Sequence, residues 1–527
     1  MARSVKTHGV ARAVALVALL GMAASACTTS SGGSGGGGGK EGSGGGSAGL
    51  QLTADPTTLD PAKGTAVQDL VMARFMYDSL VRRDDGGTVV GGLAKSWQMP
   101  SASEAVFTLN EGITCTDGTK LTATDVAASL RRLADPKAGG YPAFGAGNTP
   151  EISADDAAGT VSVKLAKPYS DLLYGLGTPQ AGIICPKALK DEALLKSGGK
   201  GAGTGRWYLT KTVAGSAYTL TARDGYDWAP RYGNSPQGEA PATLTMRILP
   251  NESTAANELL AGSLDYAGIT GPDAARLAAA KDKVSLVPAP LVRMMVVFNE
   301  RAGHPGADRA FREAVGAVLD RNAFNQTLTK GSGDVLASIA DKAVPCASTD
   351  ESLLVKPDPG AAKKALKGVQ VTVVGTNAVA AGAGNEFVQA ALKAAGADVS
   401  LRNVDNTTWG TEVLGNKGDW DVTVLPNVNV TNLLTHPASM LAGAEPPAGR
   451  NFGGVDNAEF AAGFGAAMAA TDPAAKCEAW GRAQKALLTN RDVLPLAAIK
   501  VFYTTGKRVE MAAPDGVLDM STVRLKK

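Results

Sequence analysis

A buried strand, a helix and a second buried strand follow one another between residues 369 and 404. Residues 369–374 and 399–404 are short apolar runs typical of strands, and residues 386–395 have helical spacing, with Gly396 placed to end the helix. Strands joined through a helix lie parallel in one sheet, whereas antiparallel neighbours need only a short turn. The unit therefore predicts an α/β fold whose sheet is at least partly parallel.

Strand and helix patterns also mix elsewhere in the chain. Residues 104–110 alternate in the manner of a strand, and Thr122 with Asp125 forms a capping box that predicts a helix start. Asp308 is a good N-cap for another helix, whose apolar stripe begins at Phe311. Because 527 residues exceed what one hydrophobic core usually holds, we expect two or three packed units.

Residues 1–26 have the layout of a signal peptide. A basic start at Arg3, Lys6 and Arg12 precedes the apolar run 13–22, and small residues fill positions 23–26. The apolar run is too short to span a bilayer stably. A buried helix is the alternative, but the basic start and the small-residue exit favour a cleaved signal.

Cys27 after those small residues resembles the lipidated cysteine of a bacterial lipobox. The lipobox pattern prefers leucine three positions earlier, where this chain has Ala24. Residues 27–49 are almost wholly Gly, Ser, Lys and Glu after the first positions, a composition that forms a flexible linker reaching roughly 25 Å. We therefore expect a protein anchored to the cell membrane through lipid on Cys27 and facing outside the cytoplasm.

Four cysteines remain in the folded body, at Cys115, Cys185, Cys346 and Cys477. An even number outside the cytoplasm predicts two disulfides with three possible pairings, and four buried thiols are the alternative. None of the four has the CxxC spacing of a metal or redox site.

The chain carries little that indicates catalysis. Both GxSxG strings, at 32–36 and 45–49, lie in the linker, and the SxxK string at 197–200 has no KTG partner. His304 and His436 are isolated, so the sequence predicts no enzyme, no metal site and no cofactor. A formal net charge of +2 gives no sign of nucleic-acid binding.

A series of short motifs, each weak alone, resembles the family 5 extracellular solute-binding proteins, which include oligopeptide-, dipeptide- and nickel-binding components of ABC importers. In this order and spacing the series is specific, and it covers about residues 52–500. The motifs are PTTLDP at 56–61, MYDSL at 76–80, GLAKSW at 92–97, FTLNEG at 107–112, TDG at 116–118, LTATDV at 121–126, GTG at 203–205, RDGYDW at 223–228, LAGSLD at 260–265, VFN at 297–299, DRAFR at 308–312 and LDR at 319–321.

The resemblance implies an α/β periplasmic-binding-protein-like fold with two lobes and an extra subdomain in the first. The first lobe would comprise residues 50–292 with 496–527 returning to it, and the second lobe residues 293–495. Chain crossings near 294–299 and 494–502 would form the hinge, which closes the lobes on the solute. Within this plan Cys115 and Cys185 would pair in the first lobe, and Cys346 and Cys477 in the second, which leaves the hinge free.

The resemblance implies a monomeric binding protein that delivers a small solute, of the peptide or sugar class, to ABC permease subunits. A ligand sensor without transport, and a binder of oligosaccharide rather than peptide, are alternatives that the sequence leaves open. A secreted hydrolase would need a nucleophile–base pair or a metal cluster in the folded body, and the sequence shows neither.

One loop bears on the kind of solute. In peptide-binding relatives an aspartate shortly after a strand matching residues 419–425 holds the α-amino group of the peptide. The loop 426–432 of this chain has no acidic residue. An unpaired buried ammonium is costly, so the loop predicts a ligand bound through neutral polar groups. The candidate ligand-binding residues are Trp409, Trp420, Asn427, Asn429 and Asn432.

Overall fold

The computed structural model describes residues 45–137, 143–429 and 431–526, so the expected signal peptide and Cys27 lie outside the described residues. The strands are β1 Gly45–Leu52, β2 Val81–Arg83, β3 Val89–Gly91, β4 Ala94–Ser101, β5 Glu104–Leu109, β6 Glu151–Asp155, β7 Thr160–Lys164, β8 Trp207–Val213, β9 Ala217–Ala222, β10 Pro241–Ile248, β11 Tyr266–Ile269, β12 Val284–Phe298, β13 Asp334–Val335, β14 Gln370–Thr376, β15 Asp398–Val404, β16 Val422–Val428, β17 Val493–Gly506, β18 Val509–Ala512 and β19 Asp519–Leu525. The helices are α1 Val67–Met76, α2 Ala123–Ala134, α3 Leu172–Leu176, α4 Pro186–Lys190, α5 Glu192–Ser197, α6 Glu252–Ala261, α7 Asp273–Ala279, α8 Arg309–Val318, α9 Arg321–Thr329, α10 Pro359–Leu366, α11 Ala383–Ala394, α12 Asn406–Trp409, α13 Thr435–Ala438, α14 Ala458–Ala469 and α15 Pro473–Asn490.

One mixed sheet organises the chain, in the order β15-β14-β16-β12-β17-β11-β1-β10-β9-β8, and β13 pairs with β17 beside this path. On one side lie β1 and β8–β11, which we call the first lobe together with the elements packed on them. On the other side lie β13–β16, which we call the second lobe. The antiparallel strands β12 and β17, of 15 and 14 residues, run through both lobes.

Strands β12 and β17 each cross from one lobe to the other near the middle of the strand. Residues 292–298 of β12 pair with β16, whereas Phe502–Thr505 of β17 pair with β11. Between these stretches the register shifts at Pro290/Val292, so that Leu291 is an extra, bulged residue. The strand crossing on β12 therefore lies a few residues before the expected 294–299, because those residues are already paired with β16.

The predicted local elements are confirmed. The side chain of Thr122 accepts from the Asp125 backbone N–H, which caps α2, and Asp308 caps α8 through the backbone N–H of Ala310. Strands β14 and β15 are parallel and joined through α11, as the sequence pattern predicts. A separate antiparallel sheet, in the order β4-β5-β7-β6, packs with α2 and matches the expected extra subdomain.

The strand β1 corrects the predicted end of the linker. Its first five residues, 45–49, belong to the stretch that we expected to be flexible, yet they pair in parallel with β10 from Gly45↔Pro241 onward. Glycine and serine carry no strand pattern of their own. Here residues 45–49 form a strand because their backbone hydrogen-bonds to β10, which the side chains do not indicate.

Two disulfides, Cys115–Cys185 and Cys346–Cys477, are present among the residues that the structure describes. This is the pairing expected from the two-lobed plan, since neither bridge joins residues from both sides of β12. Within the described ranges no helix is both long and apolar enough to cross a membrane.

Candidate functional site

A cavity of about 110 Å³ is lined by segments that precede β12, by the loop after β16 and by residues 514–519. Arg74 of α1, Arg82 and Arg83 of β2 contribute to one wall, and Thr431 with Asn432 contributes to the opposite wall. We call this space the polar cavity. Its remaining lining residues are Tyr174, Gly177, Thr178, Pro179, Tyr232, Pro514, Asp515, Val517, Leu518 and Asp519.

Arg83 joins the two walls of the polar cavity. Its Nη1 donates to the carbonyl oxygens of Thr431 at 2.7 Å and Asn432 at 3.0 Å. Its Nη2 and Nε donate to one oxygen of Asp515, at 2.7 and 3.0 Å. The guanidinium also lies over the ring of Tyr174, 5.5 Å from its centroid. One side chain thus holds the 431–432 backbone against the segments that precede β12.

Asp171 forms a second connection between the same parts of the chain. Its carboxylate, in a residue only 1% exposed, accepts from Thr435 Oγ1 and forms an ion pair with Lys476 of α15. The neighbouring Ser170 donates through its backbone N–H to the Met468 carbonyl at 2.8 Å. A further cavity of about 450 Å³ adjoins these residues and is bordered by the Cys346–Cys477 disulfide.

The loop between β16 and α13 is held from behind by Arg293 of β12. Arg293 is fully buried, and its Nε donates to Asp341 at 2.7 Å. Its other nitrogens donate to the Asn429 carbonyl at 3.1 Å and to Asn432 Oδ1 at 2.7 Å. Burial lowers the pKa of Arg293, and the neighbouring Asp341 raises it. A buried cation, paired with Asp341, therefore lies directly behind the loop after β16.

The three candidate asparagines have different surroundings. Asn432 lines the polar cavity, so its role as a ligand-binding residue stays a prediction. Asn429 is occupied in shaping the loop, since Nδ2 donates to Leu433 and Oδ1 accepts from Thr431. Asn427 lies in β16 rather than in the loop, because the strand continues to Val428 opposite β12. Its amide contacts the ring of His436.

The two candidate tryptophans pack as core residues. Trp420 has no exposed surface, and its ring lies 5.9 Å from that of Phe452. Trp409 is 5% exposed and donates through Nε1 to Thr423 at 3.0 Å. Both belong to one cluster of buried apolar side chains. In this structure neither offers a face to a ligand.

His436 behind the loop is uncharged near neutral pH. Burial, followed by the charges of Arg450 and Arg293, lowers the pKa of His436 to about 4. The imidazole behind the loop therefore adds no positive charge to that of Arg293.

The carboxylates around the polar cavity all have polar partners. Asp515 is paired with Arg83, and Asp519 accepts from Tyr232 at 2.6 Å and lies 3.8 Å from Arg82 Nε. Arg74 is different, because its Nη2 donates only to the Gly177 carbonyl, at 3.0 Å. Its buried Nη1 has no hydrogen-bond partner among the described residues, and the same is true of Arg82 Nε.

Arg74 remains a cation at physiological pH. Burial, followed by the charge of Arg82, lowers the pKa of Arg74 to about 10. The polar cavity therefore contains a charged guanidinium without a carboxylate partner among the residues that the structure describes.

A second cavity, of about 290 Å³, adjoins the polar cavity at Arg74, Pro179, Val517 and Leu518. We call it the apolar cavity because most of its wall is aliphatic or aromatic. Its other lining residues are Gln51, Leu52, Thr53, Val67, Gln68, Leu70, Val71, Glu252, Tyr266, Gly268, Thr270, Leu291, Val501, Tyr503 and Met520.

Sequence reasoning missed the charged residues of this region. Arg293 alone had a signal, as the one charged residue in the otherwise apolar run 291–298. Arg74, Arg83 and Asp171 had none, because their partners lie more than 100 residues away. In the described part of the chain, no group of three or more His, Cys, Asp or Glu side chains could hold a metal ion.

Comparisons with known proteins point in one direction. Residues 88–440 match the family described as bacterial extracellular solute-binding proteins, family 5 Middle. The crystal structure of a substrate binding protein from Microbacterium hydrocarbonoxydans, complexed with 4-hydroxybenzoate hydrazide, is 36% identical with a TM-score of 0.78. That match covers 91% of this chain and 100% of the other.

Two other relatives are more distant. The probable D,D-dipeptide-binding periplasmic protein DdpA of Escherichia coli is 28% identical over 290 residues, 53% of this chain. The chain spans about half the length of that relative, 54%. The binding protein AgaA from A. tumefacien R10, in complex with agropinic acid, shares the fold with a TM-score of 0.75 at 20% identity, over 92% of this chain and 99% of AgaA.

Proposed function

We propose a transport role for this chain, which belongs to the bacterial extracellular solute-binding proteins of family 5. It captures a small polar solute between its two lobes and delivers it to the permease subunits of an ABC importer. The observation that carries the proposal is the polar cavity, whose walls come from both sides of β12. The relatives compared above are described as binding proteins, and we propose a binding role without catalysis.

The contacts between the first and second lobes support capture of the solute by lobe closure. Arg83 holds the 431–432 backbone, and Asp171 accepts from Thr435 and Lys476. These contacts can form only when the two parts of the chain meet. A ligand that touches both walls binds the closed arrangement better and so shifts the population toward it.

The charged residues around the polar cavity support a solute that is not held by a free amine. Arg293 is buried behind the loop, and the carboxylates Asp171, Asp515 and Asp519 already have cationic neighbours. A ligand ammonium would have to compete for one of these partners. The relative from Microbacterium hydrocarbonoxydans holds an acyl hydrazide, which is uncharged at its acyl end and agrees with this proposal.

The proposed function is tested by identifying the solute. Protein purified from its host is denatured, the released small molecules are identified by mass spectrometry, and each is titrated back by calorimetry. We expect a small polar solute whose binding compacts the protein in small-angle scattering. Unmodified peptides that bind, and that lose binding on N-acetylation, would restore an amine-recognition site. Absence of any bound solute together with absence of compaction would contradict the proposed function.

Replacing Asp171 by asparagine is expected to weaken solute binding about 10-fold, mainly through faster dissociation. The change removes the charge that pairs with Lys476 and leaves an amide that can still accept from Thr435. The closed arrangement loses stability relative to the open one, and the apparent affinity falls with it. Surface plasmon resonance with the solute identified above measures both rate constants.

A matched control for Asp171→Asn is Glu478→Gln on α15. Glu478 is exposed and pairs only with Arg482 on the same helix, so its loss is expected to leave both rate constants unchanged. Equal effects of the two variants would show that Asp171 has no special role in closure.

We also propose that lipid on Cys27 anchors the protein to the outer face of the cell membrane. The proposal rests on the basic start, the short apolar run, the small residues and the linker of residues 1–49. Labelled palmitate is expected to enter the wild type and not Cys27→Ser. Equal labelling of the two, or labelling of neither, would contradict the anchor.

A further inference from the structure

The polar and apolar cavities share one wall, and the one charged residue on it is Arg74. Its guanidinium donates to Gly177, while its buried Nη1 has no partner among the described residues. Leaving a buried charged nitrogen without a hydrogen bond is costly, more so than for a neutral group. A bound anion beside this guanidinium would supply the partner that the described residues lack.

Charge identifies the partner as an anion. Asp515 is engaged by Arg83, and Asp519 lies nearest to Arg82 and Tyr232. Neither carboxylate comes within ion-pair distance of Arg74 among the described residues: Arg82 repels the guanidinium, and Asp519 and Asp78 attract it only from a longer range. A space of about 110 Å³ is several times the roughly 30 Å³ that a water molecule occupies, so a carboxylate group fits there.

The apolar cavity is suited to the rest of such a molecule. Its wall includes the aliphatic side chains of Leu70, Val71 and Leu518 and the rings of Tyr266 and Tyr503, which stack with centroids 6.5 Å apart. An apolar cavity of roughly 150 Å³ already accommodates benzene, and this one measures about 290 Å³. A ring or a short alkyl chain therefore fits beside the tyrosines.

Building on the proposed function, we infer that the captured solute is an organic acid whose carboxylate binds Arg74 in the polar cavity and whose apolar body occupies the apolar cavity. The site also touches the strand crossing, because Leu291 and Val501 line the apolar cavity and Leu291 is the bulged residue of β12. The Leu291 carbonyl accepts from Asn429 of the second lobe at 3.2 Å. Leu291 thus connects the wall of the apolar cavity to the loop after β16.

The test compares acids with their uncharged amides on the full chain. The acids are 4-hydroxybenzoate, phenylacetate and hexanoate, and the amides are 4-hydroxybenzamide, phenylacetamide and hexanamide. We expect calorimetry to show binding of at least one acid that is about 10- to 100-fold tighter than binding of its amide. Arg74→Gln, which retains a donor for Gly177, is expected to abolish that preference.

Two matched variants complete the test. Arg276→Gln removes an exposed guanidinium on α7, outside both cavities, and is expected to keep the preference for the acid. Val71→Phe fills the apolar cavity and is expected to weaken binding of the preferred acid, with folding checked by thermal unfolding. Failure of all three acids to bind, equal affinities for acid and amide, or an unchanged preference in Arg74→Gln would each overturn the inference.

The inference and the proposed function fail in different ways. If the solute released from the purified protein is uncharged and binds Arg74→Gln as tightly as the wild type, the organic-acid inference is wrong and the capture of a solute still holds. If no solute is released and none compacts the protein, the proposed function fails as well.

Discussion

Replacing Arg293 by methionine is expected to lower the free energy of unfolding by about 3–5 kcal/mol, because it leaves Asp341 as a buried carboxylate without its cation. Arg293 is 0% exposed and Asp341 5% exposed, so water cannot readily replace the missing partner. The same change removes the donors to Asn429 and Asn432, which position the loop at the polar cavity. Chemical denaturation with urea measures the loss, and calorimetry measures the expected parallel loss of solute affinity.

Two further variants separate the charge from the packing. Arg293→Met combined with Asp341→Leu removes both charges and is expected to recover most of the stability but not the affinity. Arg309→Met on α8 removes a half-exposed arginine that pairs with Glu313, and is expected to change stability by less than about 0.5 kcal/mol. A double variant as unstable as Arg293→Met alone would show that the buried charge on Asp341 is not the cause.

Replacing Cys115 and Cys185 together by alanine is expected to lower the free energy of unfolding by about 4 kcal/mol. The bridge closes a loop with a sequence separation of 70 residues, and the loss of that constraint enlarges the unfolded ensemble. Both cysteines are buried, and alanine avoids placing an unpaired hydroxyl in the core. Differential scanning calorimetry, with and without a reducing agent, measures the effect.

Solute affinity provides the internal control for this disulfide. The bridge lies outside both cavities, so Cys115→Ala with Cys185→Ala is expected to bind solute as the wild type does at temperatures where it is folded. A reducing agent is expected to destabilise the wild type further than this variant, which keeps only Cys346–Cys477. Equal stability of wild type and variant under oxidising conditions would show that the bridge adds no stability.

The local elements of the fold could be predicted because their causes are local. The capping box of Thr122 and Asp125 and the N-cap at Asp308 depend on hydrogen bonds between residues two or three positions apart. The unit from β14 to β15 depends on apolar periodicity within each segment. The two-lobed plan followed from the order and spacing of motifs, which the sequence contains in full.

The site was predicted less well, because ligand contact depends on which surface stays open after packing. Trp420 has an aromatic ring that could stack on a ligand, but it is buried against Phe452. Asn427 lies within β16. Asn432 alone among the five candidates lines the polar cavity. The missing aspartate in the loop was visible in the sequence, but the cation behind it, Arg293, was identified only once β12 and the loop were seen together.

The sequence by itself determined the capped helices, the unit from β14 to β15, the cysteine content and the family, because each depends on residues near one another or on motif order. Tertiary structure alone decided that residues 45–49 form a strand beside β10. It also decided that Arg83 has a carboxylate partner, whereas Arg74 has none in the part of the chain that the structure describes. The physical reason is that these pairs join distant parts of the chain: Gly45 pairs with Pro241, and Arg83 pairs with Asp515, 432 residues away. No local pattern records such partners, since only the packed fold decides which of them meet and which stay available to a solute.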